Sequence, residues 1–378
     1  MSFPDTLSKY DSIKIHRNNF DSLRFLFASF VIITHSFALV GNESMEFVSK
    51  FSNGQFNLSY IGLRGFFIIS GFLIYQSVER SKSIVDFIWK RFLRVFPALL
   101  IVSFITAFII GPLISSESFE NFFTNNEPYL FFINSVDLFL KNNHTCLPGV
   151  FINNPHGCEV NGSLWTITYE FLFYIGLISL FVIQNKNARK IFLLVTLIFI
   201  YMVKRIYVNP YIKYEYYIGD TSIGLKAATD FGCFFILGSI FASLKFDKLS
   251  QKLLVVILII CSLIFALFVY KNLFSSVPVI IVPIVLSSGL LKFNLFPFLE
   301  KTGDISYGTY LYGFPVQQIL LQYFHPGAYG LMVTSLIVSS ILGFLSWNLI
   351  EKRSLAYKDI FAKKIGLKKV VFGTSKEK

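Results

Sequence analysis

This sequence has little charge. Only 15% of its 378 residues are Asp, Glu, Lys or Arg, whereas 54% are hydrophobic and 45 are Phe, and the mean hydropathy is +0.61. Apolar runs of about 20 residues recur along almost the whole chain, where a soluble domain would keep its apolar residues in shorter periodic segments. That excludes a sizeable soluble domain. Also missing are the phosphate cradle G-x-x-x-x-G-K, the metal-binding H-E-x-x-H and the nucleophile elbow G-x-S-x-G, and with them the common soluble routes to nucleotide, zinc and serine chemistry. No internal repeat and no low-complexity tract divides the chain. Cysteine is sparse, with four residues. Cys233 and Cys261 fall in apolar runs, but Cys146 and Cys158 share a long polar loop, 116–162, and form a disulfide if that loop faces an oxidising compartment.

What is present reads as an all-α, polytopic membrane protein. Ten candidate spans lie near 20–41, 58–77, 95–115, 163–183, 191–208, 223–244, 253–270, 274–291, 304–324 and 329–350. They divide the chain into a polar leader (1–19), a membrane domain (20–350) and a basic tail (351–378). If the leader is cytoplasmic, the segments on that side hold 25 of the 34 Lys and Arg, and the opposite side holds 6. This is the positive-inside pattern, and it places both termini in the cytoplasm. The net charge of +12 is thereby a topological signal, and nucleic acid is not an expected partner. The leader is polar and the first span carries charge, so the expectation is an uncleaved first helix.

Ionisable residues within spans are functional candidates, because lipid tolerates them only against a polar interior. Arg24 and His35 are eleven residues apart in the first span, which brings them to one face of a helix about 16.5 Å apart along its axis. Arg64 in the second span and Glu170 in the fourth come out at about the depth of His35, roughly 9 Å from the outer boundary. Arg64 and Glu170 serve equally well as site groups or as an interhelical ion pair. Lys226 and Asp230, four apart on one helix face, read as an ion pair within the helix. Arg91 and Arg94 precede the third span on its cytoplasmic side; they satisfy the positive-inside rule, and two guanidiniums at this spacing also suit phosphate. His16 and Asp21 have an H-x-x-x-x-D spacing known from lipid acyltransferases, but His16 sits in the polar leader and a two-residue pattern arises easily by chance.

In order along residues 18 to 353, Arg24 and His35, "FFIISGFLIYQS", Arg91 and Arg94, "NGSLWTITYEFLFY", "GDISYGTYLYGFPV" and "WNLIEKR" resemble acyltransferase family 3, the integral-membrane O-acyltransferases of bacterial surface carbohydrates. The resemblance implies a protein of the bacterial inner membrane that moves an acyl group, usually acetyl from cytoplasmic acetyl-CoA, to a carbohydrate hydroxyl facing outward, without a metal. It implies that His35 is the catalytic histidine, that Arg24 is its partner, that Arg91 and Arg94 serve the acyl donor, and that Trp165 and Glu170 belong to the motif opening the fourth span. Gly313 departs from the pattern, standing where many relatives carry histidine. The rival expectation is a carbohydrate flippase or other transporter, in which the same Arg, His and Glu line a pathway and catalyse nothing.

Overall fold

A computed structural model of the chain describes residues 18–137, 144–207, 223–274, 278–293 and 295–360. Most of the leader, with His16, and residues 361–378 of the tail lie outside the described residues. Among the described residues there is no β-strand, and the principal elements are helices. We number the ten that fall on the expected spans: α1 Phe20–Ala38, α2 Leu58–Arg80, α3 Ile84–Ile114, α4 Trp165–Phe181, α5 Lys186–Tyr207, α6 Leu225–Ser243, α7 Gln251–Tyr270, α8 Pro278–Leu290, α9 Ser306–Phe324 and α10 Ala328–Leu355. Their starts are chemically marked. Asn57 accepts from Tyr60 N at 2.8 Å, Ser83 from Asp86 N at 3.1 Å and Ser250 from Leu253 N at 3.3 Å, satisfying amide donors that a helix cannot satisfy itself.

Six of these helices, α1, α2, α3, α6, α7 and α10, are long and apolar enough to cross a membrane. The other four fall short for separate reasons. α4 and α8 are short apolar helices, α5 carries Lys186, Arg189 and Lys190 at one end and Lys204 and Arg205 at the other, and α9 is too polar. Yet α9 is the most enclosed in character: Gln317 and Gln318 are fully buried, and its polarity serves the protein interior. α7 is the reverse. Only 11% of its most apolar window is buried, and Val255, Val256, Ile259, Ile260 and Leu263 point outward, as lipid-facing residues do.

The centre is built from α2 packed on α6 and α1, with α9 between α1 and α10. At the α2–α6 crossing the backbones touch: a Cβ on Gly71 would lie 1.9 Å from Phe235 O, and one on Gly238 would lie 2.2 Å from Ile68 O. Small residues permit this approach in membranes, where packing and polar contacts replace the hydrophobic drive. Ser239 uses the proximity, donating to Gly71 O at 3.0 Å. Gly71→Ala is therefore expected to force α2 from α6 and cost about 1–3 kcal/mol or more, read as a lowered melting temperature of the detergent-solubilised protein. An unchanged melting temperature would reject this crossing.

Two further features place the site. Pro315 lies within α9; it has no N–H to give the carbonyl four residues back, Leu311 O, and Asn161 Nδ2 takes that carbonyl instead at 3.1 Å. In α10 the residues Trp347–Glu351 form one widened, π-type turn, which aims Glu351 inward, where it is 1% exposed. Cys146 and Cys158 are joined in a disulfide, as their shared loop suggests. That loop rests on a small core of its own, Phe122, Phe131, Leu147, Val150, Phe151 and Val160.

Candidate active site

A cavity of about 550 Å³ opens between α1, α2, α3, α4 and α9. Helix periodicity explains which side chains reach it. Thr166, Glu170 and Tyr174 repeat every four residues on one face of α4, Ser70 and Ser77 lie two turns apart on α2, and Tyr307 and Tyr310 are three apart on α9. Of its lining residues Arg80 and Asp359 are exposed and mark its mouth, with Ser81, Lys90, Arg91 and Lys358 beside them, while the buried Thr166 and Tyr310, with Leu63 and Phe66, mark its deep end. The cationic mouth lies beside the α2–α3 turn, the side that the positive-inside pattern assigns to the cytoplasm.

Arg91 and Arg94, expected as an equivalent pair, differ in what holds them. Arg94 hydrogen-bonds Asp304 and also reaches Glu351 Oε2 at 3.4 Å. Arg24 joins the same carboxylate, with Nη1 3.4 Å from Asp304 Oδ2 and 3.6 Å from Asp21 Oδ1. Ser306 and Ser346 complete the cluster by donating to Asp304 and, at 3.0 Å, to Glu351 Oε1. Among the described residues Arg91 makes no ion pair. Its Nε is buried without a hydrogen-bond partner, and its guanidinium carbon lies 6.0 Å from the centre of the Tyr174 ring. A buried donor left unsatisfied costs stability, and the Arg91 side chain stands on the cavity wall. Asp304 and Glu351 are not among the residues singled out from the sequence. Their signal was a carboxylate inside "GDISYGTY" and "WNLIEKR", in otherwise apolar surroundings.

Glu170 does not meet Arg64. It accepts from Ser70 Oγ at 3.2 Å and from the Tyr174 hydroxyl, facing the cavity. Arg64 instead pairs with Asp230, stands 3.2 Å over the Tyr60 ring and donates to Tyr60 O at 3.1 Å. Asp230 takes its second partner from Lys204 Nζ at 2.7 Å, so the expected Lys226–Asp230 pair is also replaced. Lys226 is exposed. The reason is the same in both cases: Asp230 is satisfied by Arg64 and Lys204 from two neighbouring helices, which sequence spacing does not register. Trp165 is 44% exposed and packs against Tyr169 and Phe231 at 5.6 and 5.8 Å between ring centres, outside the cavity lining.

His35 lies beyond the deep end of the cavity and is not part of its wall. Tyr310 closes that end, its hydroxyl 2.7 Å from Thr166 Oγ1 and donating to Ser163 O at 2.9 Å. One turn further along α9 is Phe314, and His35 meets its ring edge-on with 5.4 Å between centres. Arg24, on Asp304 just before α9, and His35, on Phe314 within it, thus share one face of α1, as their spacing requires, but on opposite sides of the Tyr310 layer. The imidazole makes no side-chain hydrogen bond to the described residues. α1 is held in register there by Gln317, whose Nε2 donates to Ile32 O and Ser36 Oγ, each at 2.7 Å. His35, Arg64 and Glu170, expected at one level, are therefore divided among three surroundings. Among the described residues no three His, Cys, Asp or Glu are grouped to hold a metal ion.

Residues 17–347 match the model of the family described as an acyltransferase domain. An O-acetyl transferase of Shigella phage Sf6 is 30% identical over 359 residues, covering 90% of this chain and 97% of that protein. Nodulation protein 10 of Rhizobium leguminosarum bv. viciae is 27% identical over 363 residues, covering 90% and 94%. No solved structure matches this chain.

Proposed function

The chain belongs to the acyltransferase-domain family, and from that premise we propose that it is a membrane O-acetyltransferase taking acetyl from cytoplasmic acetyl-CoA to a hydroxyl of a surface polysaccharide or its lipid-linked precursor. The observation that carries this reading is the cavity itself, cationic at its mouth and ending one helical turn short of the ring that touches His35. In this reading the protein sits in the bacterial inner membrane with ten crossings, both termini and the cavity mouth face the cytoplasm, and the disulfide-closed loop faces outward.

The phosphates of CoA bind at the mouth, where Arg91 has a donor to spare and Arg80 adds charge. The pantetheine arm, long and thin, runs inward past Ser70, Glu170 and Tyr174. The thioester then lies against the Tyr310–Thr166 layer, and opening that layer joins it to His35. As the acceptor hydroxyl oxygen bonds to the thioester carbonyl carbon, the neutral His35 imidazole takes its proton. N–H or O–H donors at the layer stabilise the oxyanion that forms. Collapse breaks the carbon–sulfur bond, and the leaving thiolate recovers the proton to give CoA and the acetyl ester. A route in which His35 first carries the acetyl group uses the same geometry.

The test is release of free CoA thiol from acetyl-CoA by the purified protein in lipid nanodiscs, with transfer of acetyl to the glycan measured alongside. A carbohydrate flippase, the rival reading, moves glycan without consuming acetyl-CoA. Arg91→Ala is expected to leave abundance unchanged and raise the apparent KM for acetyl-CoA. Each charge-assisted contact is worth about 1.5–3 kcal/mol, or roughly 10- to 150-fold. An unchanged donor KM would return Arg91 to a purely topological role.

A further inference from the structure

A second element docks on α9 beside α1. Residues 144–163, closed by the Cys146–Cys158 disulfide, are bolted along that helix by a ladder of side-chain hydrogen bonds. Asn161 Nδ2 donates to Leu311 O, the carbonyl freed by Pro315. Asn154 Nδ2 donates to Gln318 O and Gln318 Oε1, both at 2.9 Å, and Gln318 Nε2 donates back to Glu159 O at 2.7 Å and to Gly157 O at 3.3 Å. Asn154, Asn161 and Gln318 are buried, so the bonds made by the two asparagines lie away from water and fix the loop firmly.

This docking sets His156 over Phe314, 6.3 Å between ring centres, with its Nε2 3.3 Å from Glu159 Oε2. Phe314 is the same ring that His35 meets at 5.4 Å, so the two imidazoles share one aromatic neighbour. The side chains of His156 and Glu159 are 46% and 33% exposed, whereas the ring between them and His35 is 4% exposed. An imidazole and a carboxylate held together, open to solvent and fixed by a rigid loop, offer both donors and acceptors to hydroxyl groups.

We propose that His156 and Glu159 form the acceptor subsite: they bind hydroxyls of the incoming carbohydrate next to the one that reacts, and so present the reacting oxygen to His35. The inference rests on the O-acetyltransferase reading above. His156 and Glu159 are positioning residues in it; the proton goes to His35. The disulfide and the Asn–Gln ladder then serve to hold one half of the acceptor site at a set distance from α1, with α9 as the ruler between them.

The experiment uses the full chain in nanodiscs, acetyl-CoA as donor, and as acceptor the polysaccharide isolated from the producing strain after deletion of the gene, so that the sites to be modified are free. His156→Ala and Glu159→Gln are each expected to raise the apparent KM for the polysaccharide about tenfold or more, leaving the KM for acetyl-CoA unchanged, and His156→Gln is expected to recover part of the loss. If wild-type protein transfers no acetyl to this polysaccharide, the O-acetyltransferase reading fails, and the subsite with it. If wild-type protein transfers acetyl and both variants keep the wild-type polysaccharide KM, the subsite alone is overturned. A parallel rise in both KM values, with a lowered melting temperature, would make the pair structural and overturn the subsite as well.

Discussion

Replacing His35 by alanine is expected to leave the protein folded and inserted in the membrane while lowering acetyl transfer by about 10²–10⁴-fold, the usual worth of a positioned general base. The fold should tolerate the change because the imidazole makes no side-chain hydrogen bond to the described residues, and its chief ring contact is the edge of Phe314. The register of α1 is held separately, by Gln317 on Ile32 O and Ser36 Oγ. His35→Gln is the sharper variant. The amide fills similar space and can donate or accept a hydrogen bond, but it takes no proton at neutral pH. Transfer by His35→Gln at near wild-type turnover would show that the ring serves packing or a passage, and the catalytic assignment would fall.

Arg94→Ala is expected to fail earlier, at the level of the folded protein. Arg94 is held between Asp304 and Glu351, with side-chain exposures of 18%, 8% and 1%. Removing the cation leaves two carboxylates in a buried site, and breaking one partner of such a pair costs about 3–5 kcal/mol. A marginally stable protein loses much of its folded population at that cost. The expected result is low membrane abundance and a strongly lowered melting temperature, in contrast to Arg91→Ala, which should accumulate normally and show its defect in donor use. Normal abundance and melting temperature for Arg94→Ala, with a raised acetyl-CoA KM, would make Arg94 a donor-binding residue and leave the charge cluster without a structural role. The contrast matters for Arg24 too. It shares Asp304, so loss of activity on its removal has to be judged against protein abundance before a catalytic role is assigned.

The sequence determined by itself whatever depends on local chain chemistry. Apolar runs in a chain with little charge dictate helices, because a backbone in lipid must satisfy its own hydrogen bonds; a helix occupies each of the ten stretches so expected. Six pass the test of length and apolarity, and α9 fails it because Gln317 and Gln318 are spent on neighbours inside the protein. The common facing of Arg24 and His35 followed from 3.6 residues per turn, and both side chains do meet α9 or the residues that precede it. The Cys146–Cys158 pairing was legible as two cysteines in one polar loop. Which charge meets which was not legible. Lys226 and Asp230 have the spacing of a helical pair, yet Asp230 is taken by Arg64 and Lys204, and Arg64 and Glu170, expected at one depth, do not meet. Arg91 and Arg94 look alike in "KRFLR", and only the carboxylates brought from 210 and 257 residues away distinguish them. Helical periodicity specifies the face on which a side chain stands; the partner across that face is chosen by the packing of α1, α3, α9 and α10, because a buried charge is tolerated only where another element supplies its counter-charge.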